Sequence, residues 1–281
     1  MTTTWPQDVA DGLRDDLAQL ADRSAGSWAF SVRESGRSVV AVHGDVVMSA
    51  ASTIKVALMA LVLADVAAGK RSLDEPCQVP DDRAGGTGVL DVLPSVRSIR
   101  LVETLELMIG VSDNTASNMI IDMLGLDDAH DRIIALGARS TRLRRRLMDT
   151  AAALAGRDNV TTADDQALVL DLLAGPGLLP EPQRRLALDI LGRQQFNDRL
   201  PAALGSDVTC RHKTGERPGV RHDVGILEFD GRQVILAALG SQLSDPTSQG
   251  SGTGPAGQII ATAARLVVTA AREIPPGEGG T

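Results

Sequence analysis

The 281-residue chain is long enough to bury a substantial core without disulfide or metal staples, and 43% apolar with 23% charged residues sets it apart from disordered chains. A net charge of -8 opposes nucleic acid and anionic membrane surfaces, and 2% aromatic residues with no Tyr leave no base-stacking platform. Cys77 and Cys210 are too few for a disulfide scaffold and read as reduced structural thiols, and no stretch approaches the ~18 apolar residues of a membrane span.

Met1 to Leu20 carries Asp and Arg and lacks the apolar run of a signal peptide, so the expected location is cytoplasmic, or secreted or periplasmic with a signal removed. Val9, Leu13, Leu17 and Leu20 fall at helical spacing and predict an amphipathic helix over 6–22. Two β-rich runs, 28–34 and 38–43, follow across Ser35-Gly36 and predict a hairpin. From about 52 to 192 the pattern is helical, with stretches near 52–68, 101–109, 115–124, 128–136, 163–173 and 181–192 and no convincing strand between them. Strand patterns return at 208–214, 223–229 and 233–239, the last two joined by Asp230-Gly231. A loop rich in Gly, Ser and Pro is expected at 250–257, then a helix from about Ala256 to Arg272 with Pro255 at its first turn.

Strands at both ends and helices between them predict an α/β (α+β) architecture. Its antiparallel sheet, flanked by the terminal helices, is built from about 1–50 and 207–281, and an all-helical lobe is inserted at about 51–206, all in one domain over 1–281. A cleft between two such lobes is a natural place for a site.

Three segments carry chemistry. Ser52-Thr-Ile-Lys55 opens a helix that is apolar on nearly every face and must therefore be buried. Lys55 lies one turn from Ser52 on the same face, where burial and a second cation lower its pKa and make the neutral amine a base for the serine proton. The helix N-terminus adds N–H groups that favour negative charge beside the nucleophile. Ser112-Asp-Asn114 precedes a second apolar helix, and Lys213-Thr-Gly215 ends a β-like run. Singly, each segment also reads as ordinary capping or an exposed edge.

Together and in this order the three resemble the motifs of class A β-lactamases and penicillin-binding proteins, and the likeness runs over nearly the whole chain. The resemblance implies a five-stranded sheet and a serine hydrolase acting on β-lactams or related carboxylate-bearing amides and esters. It makes Ser52 the acylated nucleophile and Lys55 its base or relay. Ser112 passes a proton to the leaving nitrogen, and Asn114 holds the substrate amide. Lys213 and Thr214 hold the substrate carboxylate, and the amides of Ser52 and of Glu216, just after Gly215, form the oxyanion hole. Arg221 lies in the region of the family's second carboxylate anchor, with His222 competing for that place. The loop 85–90 is expected to be cleft wall.

The expected partner is a small β-lactam or peptide-like substrate, bound by a monomer. His43, His130, His212 and His222 show no ligand spacing, so neither a metal nor another cofactor is expected.

One element of the family pattern is missing. Where class A enzymes carry a glutamate that activates the deacylating water, the loop from Thr141 has Leu147, and Ala151 stands in the place of the following asparagine. Asp149 is the only nearby carboxylate. Acylation is expected to survive on Lys55, and release by water to be slow. That leaves a D-Ala-D-Ala-type peptidase or esterase, or a penicillin-binding or sensor protein without turnover, as alternatives. The basic run at Arg142 and 144–146 is expected to pin this loop, with Arg145 pairing Asp158.

Overall fold

Strands from the two ends of the chain hydrogen-bond to each other, and this pairing sets the architecture. The computed structural model describes residues 5–244 and 254–274. After helix α1 (Gln7–Arg23), β1 (Ser27–Glu34) forms a hairpin with β2 (Arg37–Val42). On its other edge β1 pairs antiparallel with β9 (Arg232–Ser241), which continues to β8 (Val220–Phe229) and β7 (Thr209–Arg217) in the order β2-β1-β9-β8-β7. The five-stranded sheet is the one expected from the resemblance.

The sheet is covered on both faces, which explains why its central strands read as nearly continuous apolar runs. Alternate residues of β9 go to opposite cores. Val234, Leu236 and Ala238 pack with α1 and α9 (Pro255–Arg272), whereas Ile235, Ala237 and Leu239 pack toward the helical lobe. At Gly240 a Cβ would lie 2.7 Å from the Trp28 ring, so the strand tolerates only glycine where the indole crosses it.

In the helical lobe, α2 (Ile54–Ala67) runs through the centre, and its residues from Ile54 to Leu63 are all buried. Around it pack α3 (Leu101–Gly110), α4 (Asn114–Leu124), α5 (Leu126–Ala135), α7 (Ala163–Ala174) and α8 (Glu181–Leu191). These match the predicted helices closely.

Two details correct the expectation of an unbroken helical lobe. Short ladders join β3 (Met48–Ser49) to β6 (Val160–Thr161), and β4 (Pro76–Gln78) to β5 (Ser98–Arg100). Segments of two or three residues are too short to show a period of two. The loop after Thr141 also folds a short helix, α6 (Thr150–Leu154). The loop expected at 250–257 lies largely outside the described residues, and α9 begins at Pro255 as predicted. No helix among the described residues is long and apolar enough to cross a membrane.

Because α2 supplies the centre of the core, truncation there is expected to be severe. Leu58→Ala, at 0% exposure, should lose about 2–5 kcal/mol in urea unfolding, and Leu154→Ala, at 91% exposure, no more than about 0.5 kcal/mol.

Candidate active site

The three sequence segments meet where the two lobes touch. Ser52 lies not in α2 itself but in the tight 3-10 turn Ala51–Thr53 that leads into it. That turn is held by Ala50 O, which accepts from Thr53 N at 3.1 Å and Thr53 Oγ1 at 2.7 Å. Ala51 adopts φ +44°, a left-handed conformation that places the half-buried Ser52 at the cavity floor. Strand β7 passes close by. A Cβ at Gly215 would sit 3.0 Å from Thr53 Cγ2 and 3.3 Å from Ser52 N, so a side chain there would crowd the turn and glycine lets the strand come close to the serine amide.

Lys55, fully buried in the first turn of α2, donates to Ser112 O at 2.7 Å, Ser112 Oγ at 3.0 Å and Asn114 Oδ1 at 3.0 Å. Lys213, also fully buried, reaches the same Ser112 Oγ at 3.0 Å and its neighbour Thr214 O at 2.7 Å. One hydroxyl therefore bridges two amines. Burial and then the charge of Lys213 hold the Lys55 ammonium well below its usual range, with Asp113 pulling the other way. Burial and the Arg199 charge bring Lys213 down to about 7, against the pull of Asp223 and Glu216. Such a pair can hold and pass a proton near neutral pH.

Ser112 is itself constrained, at φ +56°. Asp113 fixes the segment from below, capping α4 at Ala116 N at 2.9 Å and accepting from Val89 N at 2.6 Å and Leu90 N at 2.8 Å. Asn114 adds a bond from its Nδ2 to Gly85 O at 3.0 Å, and Thr87 Oγ1 donates to Ser112 O at 2.9 Å. The loop 85–90 is thus stitched to the Ser112 segment and forms the wall expected of it. Asn114 borders the cavity, with both ends of its amide engaged by the protein.

Strand alternation turns Arg221 and His222 to opposite faces of β8, and hydrogen bonding gives them different surroundings. His222 Nδ1 accepts from Gly240 N at 3.1 Å, so the proton is on Nε2, which donates to Ser49 O at 2.8 Å. Burial lowers its pKa to about 4, leaving a neutral imidazole that braces the strands. Arg221 instead joins a charged cluster. It bonds Asp198 and lies 3.9 Å from Glu216, whose carboxylate also accepts from Arg199.

Arg199 and Asp198 escaped the sequence reading. Their only signal was Asn197-Asp-Arg199 just before Leu200-Pro201, far in sequence from the strand they serve. The segment is anchored through two buried groups of the sheet. His212 meets Asp223 at 2.9 Å and Asn197 at 3.1 Å, and Asp223 accepts from Leu200 N at 3.1 Å.

A cavity of about 770 Å³ opens above Ser52, bordered by Ser112, Thr214 and Glu216 on one side and Leu147, Met148 and Phe196 on another. Leu147 is gripped by Asn118, which accepts from Leu147 N at 2.7 Å and donates to Leu147 O at 3.1 Å. Asp149 is turned away, exposed and capping α6 at Ala152 N at 2.9 Å, so it does not replace the missing glutamate. The basic run pins the loop as expected, with Arg145 bonded to Asp158 at 2.7 Å and Arg217 meeting the same carboxylate at 2.7 Å.

A family model described as the beta-lactamase enzyme family matches residues 12–271. Beta-lactamase AST-1 of Nocardia asteroides is 30% identical over 177 residues, 60% of this chain and 54% of that protein. The chain thus spans about half the length of the curated relatives it matches. Among solved structures, the beta-lactamase of Sphaerobacter thermophilus DSM 20745 is 30% identical with a TM-score of 0.80, covering 95% of this chain and 99% of that one. A leucine-to-glutamate variant of PBP-A, solved as its acyl-enzyme with penicillin G, is 28% identical with a TM-score of 0.81, covering 94% of this chain and 97% of that one. Reaching from within α1 to the end of α9, the family match embraces both lobes and all three segments around Ser52, and the chain belongs to the beta-lactamase enzyme family.

Proposed function

We propose that the protein is a serine hydrolase that forms an acyl-enzyme on Ser52 with β-lactams or related carboxylate-bearing amides and esters, and releases the acyl group slowly. The observation that carries this reading is the Ser112 hydroxyl held 3.0 Å from each of two buried lysine amines beside Ser52. The penicillin G adduct carried by the PBP-A variant on this fold supports β-lactams as acyl donors.

Neutral Lys55 takes the Ser52 proton as Oγ attacks the carbonyl carbon. The carbonyl oxygen becomes an oxyanion that the amides of Ser52 and Glu216 stabilise, each such donor contributing about 3 kcal/mol. As the C–N bond breaks, Ser112 gives its proton to the leaving nitrogen and is reprotonated by the lysine pair. Asn114 orients the substrate amide, releasing Gly85 O to do so. Lys213 and Thr214 receive the carboxylate, with Arg221 behind them.

Release is the weak step. Leu147 lines the cavity where a water-activating carboxylate is needed, and that assistance is usually worth about 10²–10⁴ in rate. This favours a second reading as well, a penicillin-binding protein that is acylated without useful turnover.

Intact-mass spectrometry after mixing with penicillin G separates these. An adduct on Ser52, lost in Ser52→Ala, is expected, and its lifetime distinguishes enzyme from binder; absence of any adduct would overturn both. Leu147→Glu should raise steady-state nitrocefin turnover by about 10²-fold. A wild type already as fast as an efficient β-lactamase would refute the argument from Leu147. Gly215→Ala should slow acylation at least tenfold, by pushing β7 off the Ser52 amide, while unfolding shifts little.

The free protein's second-order acylation constant should also depend on pH in a definite direction. Lys213 is a cation below about 7 and neutral above it, so acylation by a carboxylate-bearing β-lactam should fall as pH rises through that value. The methyl ester of the same compound should lack this alkaline decline.

A further inference from the structure

The carboxylate pocket contains a carboxylate of its own. Arg199 and Arg221 are buried, with side chains 3% and 2% exposed, and two acids answer them. Asp198 takes Arg221 through Nη2 and lies 3.6 Å from Arg199 Nε. Glu216 takes Arg199 through Nη2 and lies 3.9 Å from Arg221 Nη1. Among the described residues, these two arginines and two acids balance in charge. The two acids differ in where they face: Glu216, with its side chain 36% exposed, borders the cavity above Ser52, and Asp198 does not.

Glu216 is also the only acid among the described residues bordering that cavity. It stands two residues beyond Thr214 on the edge strand β7, hence on the same face. A substrate carboxylate approaching Thr214 meets an anion on the same strand face, one that already engages Arg199 and lies 3.9 Å from Arg221, the proposed anchor. At about 4 Å two like charges repel by several kcal/mol near a protein surface, enough to set preference between substrates.

We propose that Glu216 is a specificity-determining residue: its side chain is a built-in counter-ion in the anion position of the site. It lowers the advantage of carboxylate-bearing acyl donors and admits neutral ones, esters and amides without an acid group. The inference rests on Ser52 acylation as the function of the cavity. Arg199 and the Glu216 side chain form the gate. The Glu216 amide keeps its separate place in the oxyanion hole, untouched by changes beyond Cβ.

Glu216→Gln keeps the shape and a hydrogen-bonding oxygen for Arg199 while removing the charge. The measurement is the second-order rate of Ser52 acylation by penicillin G and by penicillin G methyl ester, followed by intact mass in wild type and variant. The ratio of acid rate to ester rate is expected to rise about tenfold in Glu216→Gln, a modest share of the like-charge repulsion. An unchanged or lower ratio overturns the proposal. If neither protein is acylated by either compound, the Ser52 reading fails on its own, and the inference is decided by binding instead. Calorimetry of penicillin G with Ser52→Ala and with Ser52→Ala/Glu216→Gln should then show tighter binding by the doubly substituted protein, and equal or weaker binding counts against it.

Discussion

Two fully buried lysine amines share one serine hydroxyl at the edge of the cavity, and the rest of the molecule is arranged to bring them there. Neither ammonium is at ease in such surroundings. Burial favours the neutral form of each, and the charge of one disfavours the charge of the other. Lys55 arrives from the first turn of a helix buried almost all round, Lys213 from an edge strand, and Ser112 from a loop between two helices. No short stretch of chain could supply all three. Two residues of the site, Ala51 and Ser112, hold left-handed backbone that costs about 1–3 kcal/mol each in a non-glycine residue. The surrounding packing has to sustain that strain, and the central placement of α2 explains how it can.

The same arrangement shows which parts of the molecule a sequence can disclose. A helix apolar on every face has to lie in a core, so the place of Lys55 followed from Ile54 to Leu63 before any coordinates. The strands at the two ends were legible from their alternation and turns, and their meeting follows because a lone hairpin buries too little to stand alone. The short β3–β6 and β4–β5 ladders were not legible, since pairing over two or three residues comes from tertiary contact and leaves no period. Arg221 was found and Arg199 was missed for a related reason. Arg221 sits a few residues past Lys213 on the next strand, whereas Arg199 reaches the site only because His212 and Asp223 anchor its segment to the sheet. That anchorage is visible only once β7 and β8 are paired, with Thr214 opposite Asp223.

Charge at the site is balanced more closely than motif matching suggests. A Lys-Thr-Gly strand with an arginine behind it implies a strongly positive pocket. Here acids stand among the basic groups: Asp198 and Glu216 at the arginines, Asp113 near Lys55, Asp223 and Glu216 near Lys213, and Asp158 shared by Arg145 and Arg217. Burial opposes ionisation of Asp158, yet the bonds from Arg145 and Ser49 hold its carboxyl below the usual range, so it remains an anion that ties the Leu147 loop to the end of β7. The cavity wall and the strand bearing the anion pocket are therefore coupled through one ion pair, and the position of Leu147 depends on it as well as on Asn118.

How tightly Leu147 is held bears directly on the fate of an acyl group at Ser52. A water able to attack the ester needs polar partners, commonly two to four of them, and one must accept its proton. Asn118, behind Leu147, has both its donor and its acceptor taken by the Leu147 backbone, and Arg145, which borders the cavity from the same loop, is tied to Asp158. Asp149 has turned outward to cap α6, and Glu216 is engaged with Arg199. On the proposed reading, the Leu147 loop gives a water at the ester no carboxylate base, since its polar residues bordering the cavity are Arg145 and Thr150. The groups proposed to activate Ser52 are gathered instead around the Ser112 hydroxyl, which both buried lysines reach. If Ser52 is acylated as proposed, capture is thus furnished with groups that move a proton, and release is not.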